Sequence, residues 1–326
     1  MLKFPRRKFL HLAGGAAALP VVLRGAWAQA YPTRPVRIIV ATSAGGATDI
    51  AARIIAQWLT ERLGQTFFVE NRPGGGNNIG TEVAVRAPPD GYTLFMANTV
   101  NAINTTLYDN LGYNFGTDMV PVVILMRSPV VMQVHPSVAA RNVPEFIAYA
   151  KANPGKINMG SGGIGATGYV SGELFQLMAG VKMTHVPYRG EAMALADLIA
   201  GQVHIVFASI GSSIQYIRGS QVRALAVTTA ARADALPDIP TLGDFLPGYE
   251  AGTWNGLCAP KNTPAEIIEL LNNEINTALA DAKIQGRFAD LGAPVIGGSA
   301  AAFGRIIAED TAKWGRVIKA TGAKAK

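Results

Sequence analysis

The chain has 326 residues, 49% hydrophobic and 16% charged, with 36 glycines, 19 prolines and one cysteine. That length suits two domains, the apolar share excludes extensive disorder, and the lone Cys258 excludes a disulfide framework or a Cys-rich metal centre. The formal net charge of +7 is no sign of a nucleic-acid partner: residues 1–30 carry five of the 29 Lys and Arg and none of the 22 Asp and Glu, and the remaining cations form no basic stripe.

Residues 1–30 read as an export device. Pro5 to Leu10 is cationic, Phe9 to Leu23 is an apolar stretch of 15 residues, and Ala28-Gln29-Ala30 is a small-x-small cleavage pattern before Tyr31. A membrane span needs about 20 apolar residues, so this stretch is too short, and Pro20 interrupts it. Arg6-Arg7 ahead of Phe9-Leu10 is similar to a bacterial twin-arginine signal, with an ordinary secretory signal as the alternative. Both place the mature chain outside the cytoplasm, and no other segment is apolar and long enough to anchor it. A periplasmic protein is the expectation.

Val36 to Ala41 is the apolar run of a buried strand, followed by the loop Thr42 to Ala47. Ile50, Ile54 and Trp58, with Ala51, Ile55 and Leu59 beside them, then mark a helical face that Gly64 ends. Phe67 to Val69 is a second strand, Asn71-Arg72-Pro73-Gly74 a turn, 77–86 a helix and Tyr92 to Ala97 a third strand. The middle of the chain repeats the plan. Val143 to Ala152 is a helix, Lys156 to Met159 a strand, Gly160 to Ala166 a loop and Thr167 to Ala179 a helix. Lys182 to Tyr188 and Val203 to Ala208 are strands flanking a helix from Glu191 to Ala200. Strand, loop and helix in repetition predict two α/β halves with parallel strands. The extended runs Val122 to Met126 and Val130 to Val134 could cross between them, with a second crossing near Gly252 to Gly256. Pro264 to Ala282 and Ala300 to Thr321 read as helices returning to the first half.

Two loops could carry chemistry. In Ser43-Ala44-Gly45-Gly46-Ala47-Thr48-Asp49, glycines after a strand expose backbone N–H groups, and Thr48 or Asp49 could cap the helix. A helix N-terminus with free N–H donors and a partial positive charge suits an anion; a plain strand-to-helix turn is the alternative. Gly160 to Thr167 contains G-x-G-x-x-G between a strand and a helix, which formally fits a dinucleotide. The following strand ends in Pro187-Tyr188-Arg189-Gly190, without the acid that would hold a ribose, although an arginine could suit a 2′-phosphate. A carboxylate on the same amides is the more economical reading. His135, His185 and His204 lack metal-ligand spacing, and neither Gly-x-Ser-x-Gly nor H-E-x-x-H occurs.

The order of short motifs then carries a resemblance. Tyr31-Pro32-Thr33-Arg34-Pro35-Val36-Arg37, Ala44-Gly45-Gly46 with Asp49, Asn71-Arg72-Pro73-Gly74 and Pro89-Asp90-Gly91-Tyr92-Thr93-Leu94 come first. His185-Val186-Pro187-Tyr188-Arg189-Gly190, Gly201-Gln202-Val203, Arg223 to Thr228 and Ile239-Pro240-Thr241 follow. Together they resemble the Bug family of periplasmic solute receptors, the binding proteins of tripartite tricarboxylate-type transporters, over essentially the whole mature chain.

The resemblance implies an α/β Venus-flytrap fold of the two-domain periplasmic binding protein kind, with two crossover segments. Residues 31–130 plus 255–326 would form one domain and 131–254 the other. It implies a small carboxylate held between them by the loop Ser43–Gly46 and by Ser161–Thr167, partly through bridging waters. The candidate ligand-binding residues are Ser43, Ala44, Gly45, Gly46, Asp49, Asn98, Ser161, Gly163, Gly165, Ala166, Thr167, Tyr188 and Ser209. No cofactor, metal or catalytic residue is expected, and the partners would be the carboxylate and membrane transporter subunits, the receptor itself being a monomer. Tyr169 stands where relatives often carry His, and His204 where they often carry Asp. His204 is expected on a strand near the cleft, so both departures point to altered selectivity. An exported nucleotide-dependent oxidoreductase and a sensory receptor of the same fold are the alternatives.

Overall fold

Val36–Val40, with the sequence VRIIV, is apolar at all but one position, as a strand covered on both faces must be. In the computed structural model, which describes residues 31–325, it does become such a strand. Val36, Ile38 and Val40 face one core and Ile39 another on the opposite side of the sheet. The export signal read in residues 1–30 lies outside the described residues.

The first half runs β1 (Val36–Val40), α1 (Ala47–Leu63), β2 (Phe67–Asn71), α2 (Asn78–Val85), β3 (Thr93–Asn98), α3 (Thr99–Leu107), α4 (Phe115–Asp118) and β4 (Met119–Ser128). The second runs β5 (Val130–Val134), α5 (Val143–Ala152), β6 (Asn158–Ser161), α6 (Thr167–Ala179), β7 (Thr184–Pro187), α7 (Glu191–Ile199), β8 (Ile205–Ser209), α8 (Ile210–Arg218) and β9 (Arg223–Val227). The chain then returns as β10 (Thr253–Pro260), α9 (Ala265–Ala280), α10 (Ala282–Ala289) and α11 (Ala300–Thr321).

Two five-stranded sheets result, ordered β2-β1-β3-β10-β4 and β7-β6-β8-β5-β9. In each, one strand is antiparallel to both its neighbours: β10 in the first, β5 in the second. Both are strands that enter from a crossing, so the two sheets share one plan. The crossings lie side by side. Thr253 pairs with Ser128, the Thr228 N–H donates to the Val130 carbonyl at 2.9 Å, and Arg127 Nη1 meets Glu250 Oε1 at 2.7 Å. Helix α11 is a third link. Phe303 and Ile307 pack with the first sheet, whereas Trp314, Val317 and Ile318 share a core with Met132, Tyr169 and Phe175 of the second half.

The sequence placed Gly160 and Ser161 in a loop, and the structure puts both in β6. Ser161 is buried, and a Cβ on Gly160 would lie 3.1 Å from Val203 and Val206 side-chain atoms, so neighbouring side chains close over a glycine strand. Helices α3 and α8, not read from the sequence, begin directly at the ends of β3 and β8.

Candidate functional site

In folds of this kind ligands bind outside the carboxyl ends of the parallel strands, and here the loops after β1 and β6 lead there into α1 and α6, the second of them reaching Leu107 and Asn104 of the other half. The first glycine loop is exposed from Ser43 to Ala47. Its N-cap is Gly46, without a side-chain cap. Asp49 does not cap α1 either. It is buried, and its Oδ2 turns back to accept the Gly45 N–H (2.8 Å) and Arg53 Nε (3.0 Å), while Oδ1 accepts Asn71 Nδ2 (2.9 Å). Burial alone would raise its pKa; the hydrogen bonds from Arg53, Gly45 and Asn71 outweigh this and hold it below the usual carboxylate range. Asn71 Nδ2 also binds the Thr42 carbonyl, and Thr48 Oγ1 donates to Asn255 Oδ1 at 2.7 Å, tying the start of α1 to β10.

The second loop is held without a carboxylate. Ser161 Oγ lies 2.7 Å from His185 Nε2 and accepts the Gly163 N–H at 3.1 Å. The His185 ring packs at a tilt against Tyr169 with centroids 4.4 Å apart, and burial lowers its pKa and so favours the neutral ring. Gly165 has φ +85°, and a Cβ there would come within 2.5 Å of Leu107 Cδ2. The loop therefore lies against α3 of the first half rather than opening toward a dinucleotide. Ala166 is the N-cap of α6, again without a side-chain bond, and the Thr167 hydroxyl has no partner among the described residues.

Of the other helices that follow inner strands, α3 has a side-chain cap and α8 has none. Asn98 caps α3 with Oδ1, which accepts the Val100 N–H (3.0 Å) and Asn77 Nδ2 (3.1 Å). Ser209 is bound through both its N–H (3.1 Å) and its hydroxyl (2.7 Å) by the Glu191 carboxylate, and the Ile210 N–H reaches the Pro129 carbonyl. Helices α1 and α6, one from each half, keep their first N–H groups open. Helices α2 and α7, on the edge strands, also lack side-chain caps.

The predicted residues thus separate. Ser43 to Gly46, Gly163, Gly165, Ala166 and Thr167 form the two open loops, whereas Asp49 and Ser161 hold those loops from within. Asn98 and Ser209 serve α3 and α8, and the Tyr188 hydroxyl donates to Asp197 Oδ2 at 2.6 Å, its ring in the core against α7. His204 is not near the cleft. It precedes β8, its Nδ1 accepts the Asn158 N–H at the start of β6, and it sits at the far end of both strands. A parallel strand's first residue is by construction remote from the loop that follows its last, here by about 3.3 Å per residue. Arg53, Asn71, His185 and Glu191 were missed as loop holders; the Asp49/Arg53 spacing of four on a helix was the one local signal for them. A cavity of about 820 Å³ lies elsewhere, behind the crossings and between Thr229–Ala235 and Gly292–Ile296. Among the described residues no helix is long and apolar enough to cross a membrane, and no cluster of three metal-ligating side chains occurs.

Residues 51–323 match the family described as TctC, tripartite tricarboxylate transporter family receptor. Protein BugT of Bordetella pertussis is 35% identical over 303 residues, covering 92% of this chain and 93% of the relative. Among solved structures, R. palustris Rpa4515 with adipate superposes with a TM-score of 0.79 at 36% identity, covering 90% of this chain and 98% of that one. MatC from Rhodopseudomonas palustris with bound malate gives 0.76 at 30% identity, covering 88% and 100%.

Proposed function

Because the chain belongs to the tripartite tricarboxylate transporter receptor family, we propose that it is the extracytoplasmic receptor that captures a small organic carboxylate between its two halves. It then presents that ligand to the membrane subunits of the transporter. Solved structures similar to this chain hold adipate and malate, and the family is described as a transporter receptor. The observation that carries the reading is the pairing of open helix starts. Helices α1 and α6 come from different halves, each follows a glycine loop, and each starts without a side-chain cap, where Asn98 caps α3 and the Ile210 N–H of α8 is taken by the Pro129 carbonyl. Such termini bind anions through oriented N–H groups and the helix dipole.

On this reading residues 31–130 with 255–326 move against 131–254 about the crossings at Ser128–Val130 and Gly252–Thr253. The chain is exported to the periplasm on its first thirty residues by the twin-arginine route, and it works as a monomer. Calorimetry on the mature chain tests the ligand class: an organic acid that binds should lose about a hundredfold in affinity as its amide, which gives up the charge on which hydrogen bonds of about 1.5–3 kcal/mol depend. Equal affinity for acid and amide would overturn the carboxylate reading.

A further inference from the structure

The geometry points to Arg189 as the residue that selects the ligand's second group, making this receptor specific for dicarboxylates with an apolar spacer; the inference rests on the carboxylate reading above. Six connections leave the strands β1, β2, β3, β6, β7 and β8 toward the cleft, and they carry two cations, Arg72 and Arg189. Arg72 is held by Glu70. Arg189 is exposed and makes no ion pair among the described residues.

Strand alternation sets the side on which Arg189 lies. His185 packs against Tyr169 of α6, whereas Val186 and Tyr188 join the core under α7. The Tyr188 N–H still donates to the Ser161 carbonyl at 2.9 Å, so the extended register continues to the end of this run. Position 189 therefore falls on the α6 side, the side of the second glycine loop. Strands β6 and β7 are neighbours, about 4.8 Å apart, so the two loops start within one strand spacing of each other. A Cβ on Gly162 would lie 3.0 Å from the Glu191 nitrogen, so their backbones touch.

Strand β7 is also the edge of its sheet farthest from the crossings, as β2 is in the other sheet. Arg189 thus stands at the mouth of the cleft while the open helix starts lie deeper. Apolar side chains are exposed on the same loops and first turns. Ile164 at the tip of the second loop, Met193 in the first turn of α7 and Ile79 in that of α2 are each about half exposed. A ligand with one carboxylate on the helix starts and another at Arg189 would lay its middle along these side chains. They reward methylene groups and offer hydroxyls no partner. A guanidinium binds the second carboxylate through a planar fork.

Adipate and hexanoate have the same carbon count and differ at one end, so they are the probes. By calorimetry on the mature chain, adipate should bind about tenfold more tightly than hexanoate. Arg189→Gln should bring the two affinities to within about twofold, and Arg189→Lys should retain part of the preference. Hydrogen exchange of the second loop in the empty variants reads whether the loop itself has moved. Three results overturn the assignment: hexanoate binding the wild type as tightly as adipate, the preference surviving in Arg189→Gln, or both acids losing affinity equally. Binding of neither acid overturns the carboxylate reading together with this one.

Discussion

The two loops that open the cleft leave the same groups free but are held by different chemistry. The first is held by an ionised, buried carboxylate: Asp49 gathers the Gly45 N–H, Arg53 and Asn71. The second is held by neutral groups, Ser161 and His185, and by close packing of Gly165 on Leu107. A helix start can be kept open for a ligand only if the loop before it is fixed by something other than a cap. A capping side chain would fill the N–H groups the ligand needs, as Asn98 does on α3. One half solves this with charge and the other with shape, and the two solutions should fail differently.

The largest difference should appear on removing the central group of each loop. Asp49→Ala leaves the Gly45 N–H, one of the two Asn71 amide hydrogens and the Arg53 Nε–H without their acceptor inside the protein, and we expect a loss of about 2–3 kcal/mol in stability. Ser161→Ala leaves the Gly163 N–H and one histidine nitrogen, and about 1 kcal/mol should go. Urea midpoints on the two variants measure this directly. Equal losses would mean that charge is not what distinguishes the loops.

A smaller effect separates ligand binding from folding. Proline is favoured at the first position of a helix, where its missing N–H has no intrahelical partner. The residues ahead of Ala47 and Thr167 already have the extended ψ values that a following proline demands, 164° at Gly46 and 148° at Ala166. Ala47→Pro and Thr167→Pro should each leave the melting temperature of the empty protein nearly unchanged and weaken the ligand about tenfold. Thr167→Ala subtracts the contribution of the hydroxyl. If one proline costs affinity and the other does not, the carboxylate rests on one half alone.

Much of this layout was legible in the residues, for reasons that also mark where legibility stopped. Helix α6 could be bounded because Gly180 stops it, and α11 because its apolar stripe runs from Ser299 to Gly322. Helix α3 could not: Thr99–Leu107 is rich in Asn and Thr, poor helix formers, and is held by the Asn98–Asn101 capping box and by packing on α11. His185 looked like an isolated histidine because its partners, Ser161 and Tyr169, are distant in sequence and meet it only through the β6–β7 pairing. His204 was assigned to the wrong end of its strand, since one sequence shows which residues form a strand more readily than which end of it meets a ligand. The roles of Asp49 and Ser161 were half-read: both belong to the loops, but their polar atoms point into them.

The smallest expected effect is a difference in pH response, and its sign follows from the two pKa shifts. Asp49 is held below the usual carboxylate range in the folded chain. Its contribution is complete above the unfolded value of about 3.9 and is lost as pH falls through the lower folded value. Burial also lowers the pKa of His185, whose unfolded value is about 6.5. Below that pH the unfolded chain takes up a proton that the folded chain refuses, so stability declines with falling pH until His185 is protonated in the folded state as well. The second loop should therefore loosen first on mild acidification, while the first stays intact until the carboxylates titrate. Hydrogen exchange between pH 7.5 and 5.5, corrected for the intrinsic pH dependence, should show faster exchange at the amides of Gly163 to Thr167 and no change at Gly45. In His185→Gln, which cannot take up the proton, that acid-induced step should vanish. Equal acceleration in both loops, or a step that persists without the imidazole, would show that the neutral holder of the second loop is not its acid-sensitive part.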